Sequence, residues 1–335
     1  MSKTRFLALI PAVALAATAC SGSGGGGEDT ADGDITLSFS NSYTEDHPHT
    51  RCGIDLVAER VAESDSGMSV DTFPNSQLGA NTETFASVMS GDIDLDVQGS
   101  SALSASYSPI GVMDSAYVFR DADHLFSFFD SEASADMKAE FEEATGTKIL
   151  DVWYFGDRHF TATEPIRSPE DLDGLRMRFP DSPTHLANAA ALGADPTAVA
   201  FEEVYLALQQ GTVDGQENPI PTIEGMNFVE VQSHVSLSSH SVGSQMIVVS
   251  GETWDSLSAD QQETLQQAVS ETRADNRACI EEAEQEITDR WESEGAIEIV
   301  DDVDVETFRS QAQEYFAENM DAEQYALYEA VQEIE

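Results

Sequence analysis

The sequence is poor in cations, in cysteine and in long apolar runs, and each shortage excludes something. Its 335 residues hold 15 Lys+Arg against 63 Asp+Glu, a formal charge of −48. A surface this negative repels phosphate backbones, so nucleic acid is not expected as a partner. It repels anionic lipid headgroups equally, so attachment to a membrane cannot rest on charge. The three cysteines, Cys20, Cys52 and Cys279, form no C-x-x-C, which excludes thioredoxin-like chemistry. There is no G-x-S-x-G, H-E-x-x-H or phosphate-loop pattern, and no nucleophile paired with a base is visible. Neither an enzyme nor a cofactor is therefore expected. Hydrophobic content of 41% is nonetheless enough for a real core and argues against disorder.

What is present begins with an export signal. Lys3 and Arg5 precede an apolar run over residues 6–17, too short for a permanent span. Ala17-Thr18-Ala19 before Cys20 admits two readings, lipoprotein processing or ordinary A-x-A cleavage. Lipoprotein signals usually carry Leu where Ala17 stands. The run Ser21-Gly22-Ser23-Gly24-Gly25-Gly26-Gly27, however, makes Cys20 the head of a flexible tether. Residues 1–19 are accordingly read as a lipoprotein signal peptide and 20–33 as a lipidated cysteine with its tether. Each buried methylene contributes ~0.8 kcal/mol, so several acyl chains would hold the protein at the outer face of the cell membrane. No later apolar stretch approaches spanning length, so lipid is the expected membrane contact. Export also leaves Cys52 and Cys279 in an oxidising setting, where a disulfide and two buried thiols both stay open.

Along the body, Ile35-Thr36-Leu37-Ser38-Phe39 alternates like a strand and ends at Ser40-Asn41-Ser42. Ile54, Val57, Ala58 and Val61 follow at helical spacing, then a strand over 68–73, a helix over 84–89 and a strand through Ile93, Leu95 and Val97. That order predicts parallel strands covered by helices. The pattern restarts with a strand over 148–155 closed by Gly156, and a capped turn at Ser168-Pro169-Glu170-Asp171. A strand follows with Met177 and Phe179 on one face and Arg176 and Arg178 on the other. Helices begin at Ser182-Pro183 and near Phe201. A long helix carries Leu265, Val269, Thr272, Asn276, Cys279, Ala283 and Ile287 on one stripe. Two such sets predict an α/β fold of two lobes, each a sheet flanked by helices, with a cleft between them.

Cations are few enough for their placement to matter. Four of the twelve arginines, Arg158, Arg167, Arg176 and Arg178, fall between positions 158 and 178. Ligands of open α/β sheets bind beyond the carboxyl ends of strands. Asn41, Arg158, Arg178 and Asn218 occupy such places. Two guanidinium groups and two amides suit a carboxylate with neighbouring hydroxyls, because Arg offers parallel charge-assisted hydrogen bonds to that planar group. The alternative is that these arginines pair with the abundant surface acids.

Several motifs resemble the substrate-binding protein of tripartite ATP-independent periplasmic (TRAP) transporters, the DctP-type family. They are Gly156-Asp157-Arg158, Asp173-Gly174-Leu175-Arg176-Met177-Arg178-Phe179-Pro180, Leu192-Gly193-Ala194-Asp195-Pro196, Phe201-Glu202-Glu203-Val204-Tyr205 and, most specific, Val213-Asp214-Gly215-Gln216-Glu217-Asn218-Pro219. Ser76-Gln77-Leu78-Gly79 and Gly91-Asp92-Ile93-Asp94 extend the likeness towards the N-terminus. The resemblance implies a periplasmic-binding-protein-like fold with the long helix spanning both lobes. Lobe I would comprise 34–155 plus about 244–283, and lobe II 156–243 plus about 284–335. It implies Arg178 as the main carboxylate clamp, Arg158 as a second cationic contact, Asn218 as a hydrogen-bonding group and Phe201 as apolar packing. Arg176 would face solvent. Asn41, Asn81 and the Gln98-Gly99-Ser100 turn would be contacts from lobe I. The implied ligand is a small organic acid, a C4-dicarboxylate or a sugar acid. The implied partners are the membrane subunits of a TRAP transporter driven by an ion gradient, and a monomer is expected.

Other readings compete. A ligand-presenting sensor subunit would share the same site. An exported metal-binding lipoprotein would use His47-Pro48-His49 beside Glu45 and Asp46, although a polar loop capping the next helix explains that motif as well. Asp92, Asp94 and Asp96 mimic the start of a calcium loop, but Val97 stands where glycine is needed. No metal is therefore expected. Trp153-Tyr154-Phe155 suits a core or a sugar-stacking face.

Overall fold

The computed structural model describes residues 35–334, so the expected signal peptide, Cys20 and the tether lie outside the described residues. Strand β1 (Ile35–Ser40) buries Leu37 and Phe39, and a π-turn at Thr50–Ile54 leads into α1 (Asp55–Glu63). β2 (Met68–Phe73), α2 (Asn81–Ser90) and β3 (Leu95–Gln98) complete the first set, with β2 and β3 both parallel to β1. Residues 100–146, where the sequence suggested no elements, fold as α3 (Ser100–Leu103), a 3-10 segment at Ser108–Asp114, α4 (Ala122–Phe129) and α5 (Glu132–Thr145). They bury Phe128, Phe129 and Phe141. α3 and α4 are too short for a helical stripe to stand out from the sequence.

The second half opens on β4 (Thr147–Ala162), followed by a 3-10 turn at Pro169–Leu172 with the expected capping box. Then come β5 (Arg176–Phe179), α6 (Pro183–Leu192), β6 (Asp195–Ala198), a 3-10 turn at Phe201–Glu203, α7 (Val204–Gln209), β7 (Gly215–Asn218) and α8 (Ile220–Gly225). β8 (His234–Ser250) and α9 (Gly251–Ser256) precede α10 (Ala259–Glu294), and the chain closes with β9 (Glu298–Val300), α11 (Val305–Asn319) and α12 (Ala322–Gln332).

The strands form one sheet in the order β2-β1-β3-β8-β4-β7-β5-β6, with β9 beside β8. The expectation of parallel strands holds only at the flanks. β5 runs parallel to β6 and β7, but β4 and β8 are antiparallel to each other and to their outer neighbours β7 and β3. This central pair joins the two parallel groups, which makes a mixed, two-lobed α/β fold with helices on the sheet.

Gly156 does not close a strand as expected. The 16-residue β4 runs on through it to Ala162, and Gly156 pairs with Gly243 in the middle of the 17-residue β8. Its φ of 101° lies where side chains are strained. A Cβ on Gly243 would sit 2.8 Å from the Gly156 carbonyl oxygen, and a Cβ on Gly156 would meet Glu284 Oε1 at 2.6 Å. These glycines serve close backbone approach, a need that a sequence read for turns mistakes for a stop.

The 36-residue helix α10 starts from a capping box at Ser258 and Gln261. Its expected stripe is buried along its whole length. Leu265 and Val269 pack with Leu37, Phe39 and Trp153, whereas Ala283, Ile287 and Trp291 pack with Val204, Ile223 and Phe228. One helix thus contributes to the cores beneath both strand groups. Cys279 on α10 is joined by a disulfide to Cys52 before α1, with Cα atoms 6.4 Å apart.

Candidate functional site

Alternation along β5 sends Met177 and Phe179 into the core and puts both arginines on the opposite face. Their fates then diverge. Arg176, at the outer end, is exposed and pairs with Asp214 at 2.6 Å. Arg178, at the carboxyl end beneath the segment before Phe201, is 3% exposed. Its Nε donates to the Val199 carbonyl at 3.0 Å, and among the described residues neither Nη group has a partner. It makes no ion pair with any described residue. Burial, reinforced by the like charge of Arg158 and only partly offset by the charges of Glu217 and Glu202, pushes its pKa down to about 10. A buried cation without a counter-ion is costly, so its retention calls for an anion.

Arg158 in β4 is buried too, but compensated. Its Nε and Nη2 grip the Glu217 carboxylate of β7, with Nη2 at 2.7 Å from Oε1. Nη2 also donates to the Glu217 carbonyl at 2.9 Å and to Asn218 Oδ1 at 3.2 Å, leaving Nη1 without a partner among the described residues. His240 in β8 adds a 3.3 Å contact from Nε2 to Glu217 Oε2 and stacks on Phe160. A carboxylate only accepts, so this Nε2 carries the hydrogen. Burial works against the ionised Glu217 carboxyl, yet Arg158 and His240 hold it below the usual carboxylate range.

These groups surround a cavity of about 220 Å³. Arg158, Arg178, Asn218, Phe201 and Asn81 all line it, together with Tyr43 and Phe155. Tyr43 lies 5.2 Å from the Phe155 ring and 6.2 Å, edge-on, from Phe201. Asn81 donates through Nδ2 to Ser42, and its backbone N–H donates to Glu202 Oε1 at 3.0 Å. Ser76 Oγ reaches the same Glu202 oxygen, so the first half of the chain is tied to the second across the cavity mouth. Asn41 is not among the lining residues. Its amide is spent on Thr50, the His49 carbonyl and the Tyr43 N–H, which shapes the loop beneath Tyr43. Gly99 and Ser101 line the cavity, while Gln98 is buried on Asp96, Thr84 and the Asn81 carbonyl.

Reading the sequence missed Asp114, His185, Ser244 and Gln245, all at the cavity wall, and the Glu217 partner of Arg158. The available signal was an acid ending an apolar stretch, Ile110-Gly111-Val112-Met113-Asp114. An isolated acid there needs a buried polar partner. The polar-loop reading of His47-Pro48-His49 is corrected as well. His47 and His49 are 4% and 0% exposed, within an aromatic stack with Tyr43, Trp153 and Phe155. Burial drives the His49 pKa down to about 3. Among the described residues no three His, Cys, Asp or Glu side chains are placed to hold a metal ion. No helix among them is long and apolar enough to cross a membrane.

A sheet shared by two lobes, with a cavity between them lined by two buried arginines, is the architecture of a solute-binding protein. Comparison with known proteins gives the family. Residues 39–323 match the DctP model, bacterial extracellular solute-binding protein family 7, and the chain belongs to that family. It is 33% identical over 264 residues to the sialic acid-binding periplasmic protein SiaP of Vibrio cholerae, covering 78% of this chain and 82% of that one. A TRAP periplasmic solute-binding protein from Roseobacter denitrificans with bound L-galactonate superposes with a TM-score of 0.83 at 28% identity, covering 90% and 99% of the two chains. Another, from Sulfurospirillum deleyianum with bound succinate, gives 0.82 at 27% identity over 90% and 100%. The chain is thus a TRAP-type binding protein and not an enzyme.

Proposed function

We propose that this protein captures a small organic acid at the Arg178 cavity and delivers it to the membrane subunits of a TRAP transporter. The observation that carries the reading is the buried Arg178 guanidinium, whose Nη groups meet the cavity with no described acid in contact with them. Arg158 contributes its remaining Nη1 group, Asn218 its amide and Phe201 an apolar wall. Away from water, one carboxylate–guanidinium pair is far stronger than at the surface. We place the hinge at Gly156 and Gly243, between lobe I (34–155 and about 244–283) and lobe II (156–243 and about 284–335). The proposal includes anchoring through a lipidated Cys20, supported by its Gly/Ser tether. Cys20→Ser should then release the protein from membranes.

A thermal-shift screen of organic and sugar acids tests the ligand class. A ligand at 100 times its Kd adds ~2.7 kcal/mol of stability. Arg178→Ala should weaken the best ligand at least a hundredfold, equivalent to ~3 kcal/mol or more. Affinity like that of the wild type in this variant would remove Arg178 from the site.

A further inference from the structure

We infer that the site takes acids with a single carboxylate and hydrogen-bond donors elsewhere, hydroxyl or ammonium, and rejects dicarboxylates, with Asp114 as the specificity-determining residue. This deepens the organic-acid reading and rests on it. Similar proteins hold L-galactonate in one case and succinate in another, so the fold does not choose between these classes. The cavity wall does.

Only one cation of the wall has no ion-pair partner among the described residues. Arg158 is matched by Glu217 and also feels Asp114, which leaves Arg178. The acids lining the cavity are Asp114, Asp181 and Glu202. Glu202 and Asp181 are exposed near the mouth, but Asp114 is 5% exposed at the end of the Ser108–Asp114 segment. Its carboxylate accepts from Ser100 Oγ at 2.5 Å and from Ser244 Oγ at 3.3 Å. Those two hydroxyls are neutral, and a carboxylate has about four acceptor positions, so capacity remains. His185 Nε2 is 3.8 Å away, beyond hydrogen-bond range, and burial lowers its pKa, so it brings no balancing charge.

Asp114 presents acceptors only, and a buried acceptor must be met by a donor. Hydroxyl and ammonium groups donate. A second ligand carboxylate offers only acceptors and would add like charge next to Asp114, which such a site disfavours strongly.

The test uses matched pairs and the mature protein in isothermal titration. D-galactonate and galactarate share a six-carbon polyhydroxy chain and differ in one terminal carboxylate. 4-Hydroxybutyrate and 4-aminobutyrate stand against succinate in the same way, and separate hydroxyl from ammonium. The expected result is at least tenfold tighter binding of the monocarboxylate in the pair that binds. Asp114→Asn should cut that ratio at least tenfold by admitting the dicarboxylate. If this variant does not fold, monomethyl succinate should bind the wild-type protein more tightly than succinate. A dicarboxylate bound as tightly as its partner, or a ratio unmoved by Asp114→Asn, overturns the inference and leaves the acid-binding reading standing. Silence of both pairs and of the wider acid screen overturns that reading itself, and the inference with it.

Discussion

At the scale of single residues, two arginines of similar burial do different work. Arg158 is locked by the charge of Glu217, and Arg178 waits without one. The contrast makes separable predictions for stability. Glu217→Gln leaves a buried cation half-satisfied and should cost about 3–5 kcal/mol, read as a lowered urea midpoint. Arg178→Met removes a buried charge that makes no ion pair among the described residues. It should leave the melting temperature unchanged or raise it while binding is lost, the usual opposition of function and stability. A fall in stability as large as that of Glu217→Gln would show that Arg178 is structural. Arg178 itself was readable from its place at a strand end. Its lack of a partner was not, because 63 acids in the sequence offer pairing everywhere and only the fold shows which of them come near.

At the scale of elements, the crossing of β4 and β8 lies against α10. Glu284 of that helix faces Gly156 with a buried Oε1 that has no partner among the described residues. Burial, with the charges of Asp157 and Glu281 adding to it, raises its pKa from 4.5 to about 8. In the unfolded chain the group ionises near its ordinary value, whereas in the folded protein it keeps its proton. Stability should therefore decline as pH rises from about 4.5 to about 8 and level off above. Glu284→Gln should flatten this slope and stabilise the protein at pH 8 by about 1–2 kcal/mol, measured by thermal melts across that range. An unchanged slope would place the titration elsewhere. The stripe of α10 was legible because it repeats over about six turns of helix, which no loop imitates. The passage of β4 through Gly156 was not, since glycine spells both a stop and a close approach.

At the scale of the whole molecule, charge and a covalent link set the stability. The charge of −48 repels itself, and salt shortens that repulsion from about 10 Å at 0.1 M to about 3 Å at 1 M. The melting temperature should rise with sodium chloride over this range. A flat response would mean that the acids are already balanced locally. The Cys52–Cys279 bridge closes 227 residues of chain between the α1 entry and α10. Chain entropy assigns such a loop about 5 kcal/mol. The double variant Cys52→Ser, Cys279→Ser should lose a comparable amount in denaturant melts.

By itself the sequence determined what depends on local order or on composition: the strand and helix periods, the acidic surface, and the motifs that place Arg178 and Asn218 at strand ends, whereas Arg158, expected beyond a strand, lies within β4. The tertiary structure alone decided what depends on contacts between distant segments. It paired Arg158 with Glu217 and withheld a partner from Arg178. It sealed His47 and His49 among aromatic rings, joined Cys52 to Cys279, and brought Asp114 to the wall of the cavity. The reason is physical: a period or a cap is written within a few neighbouring residues, whereas the partner of a buried charge is chosen by where the chain returns.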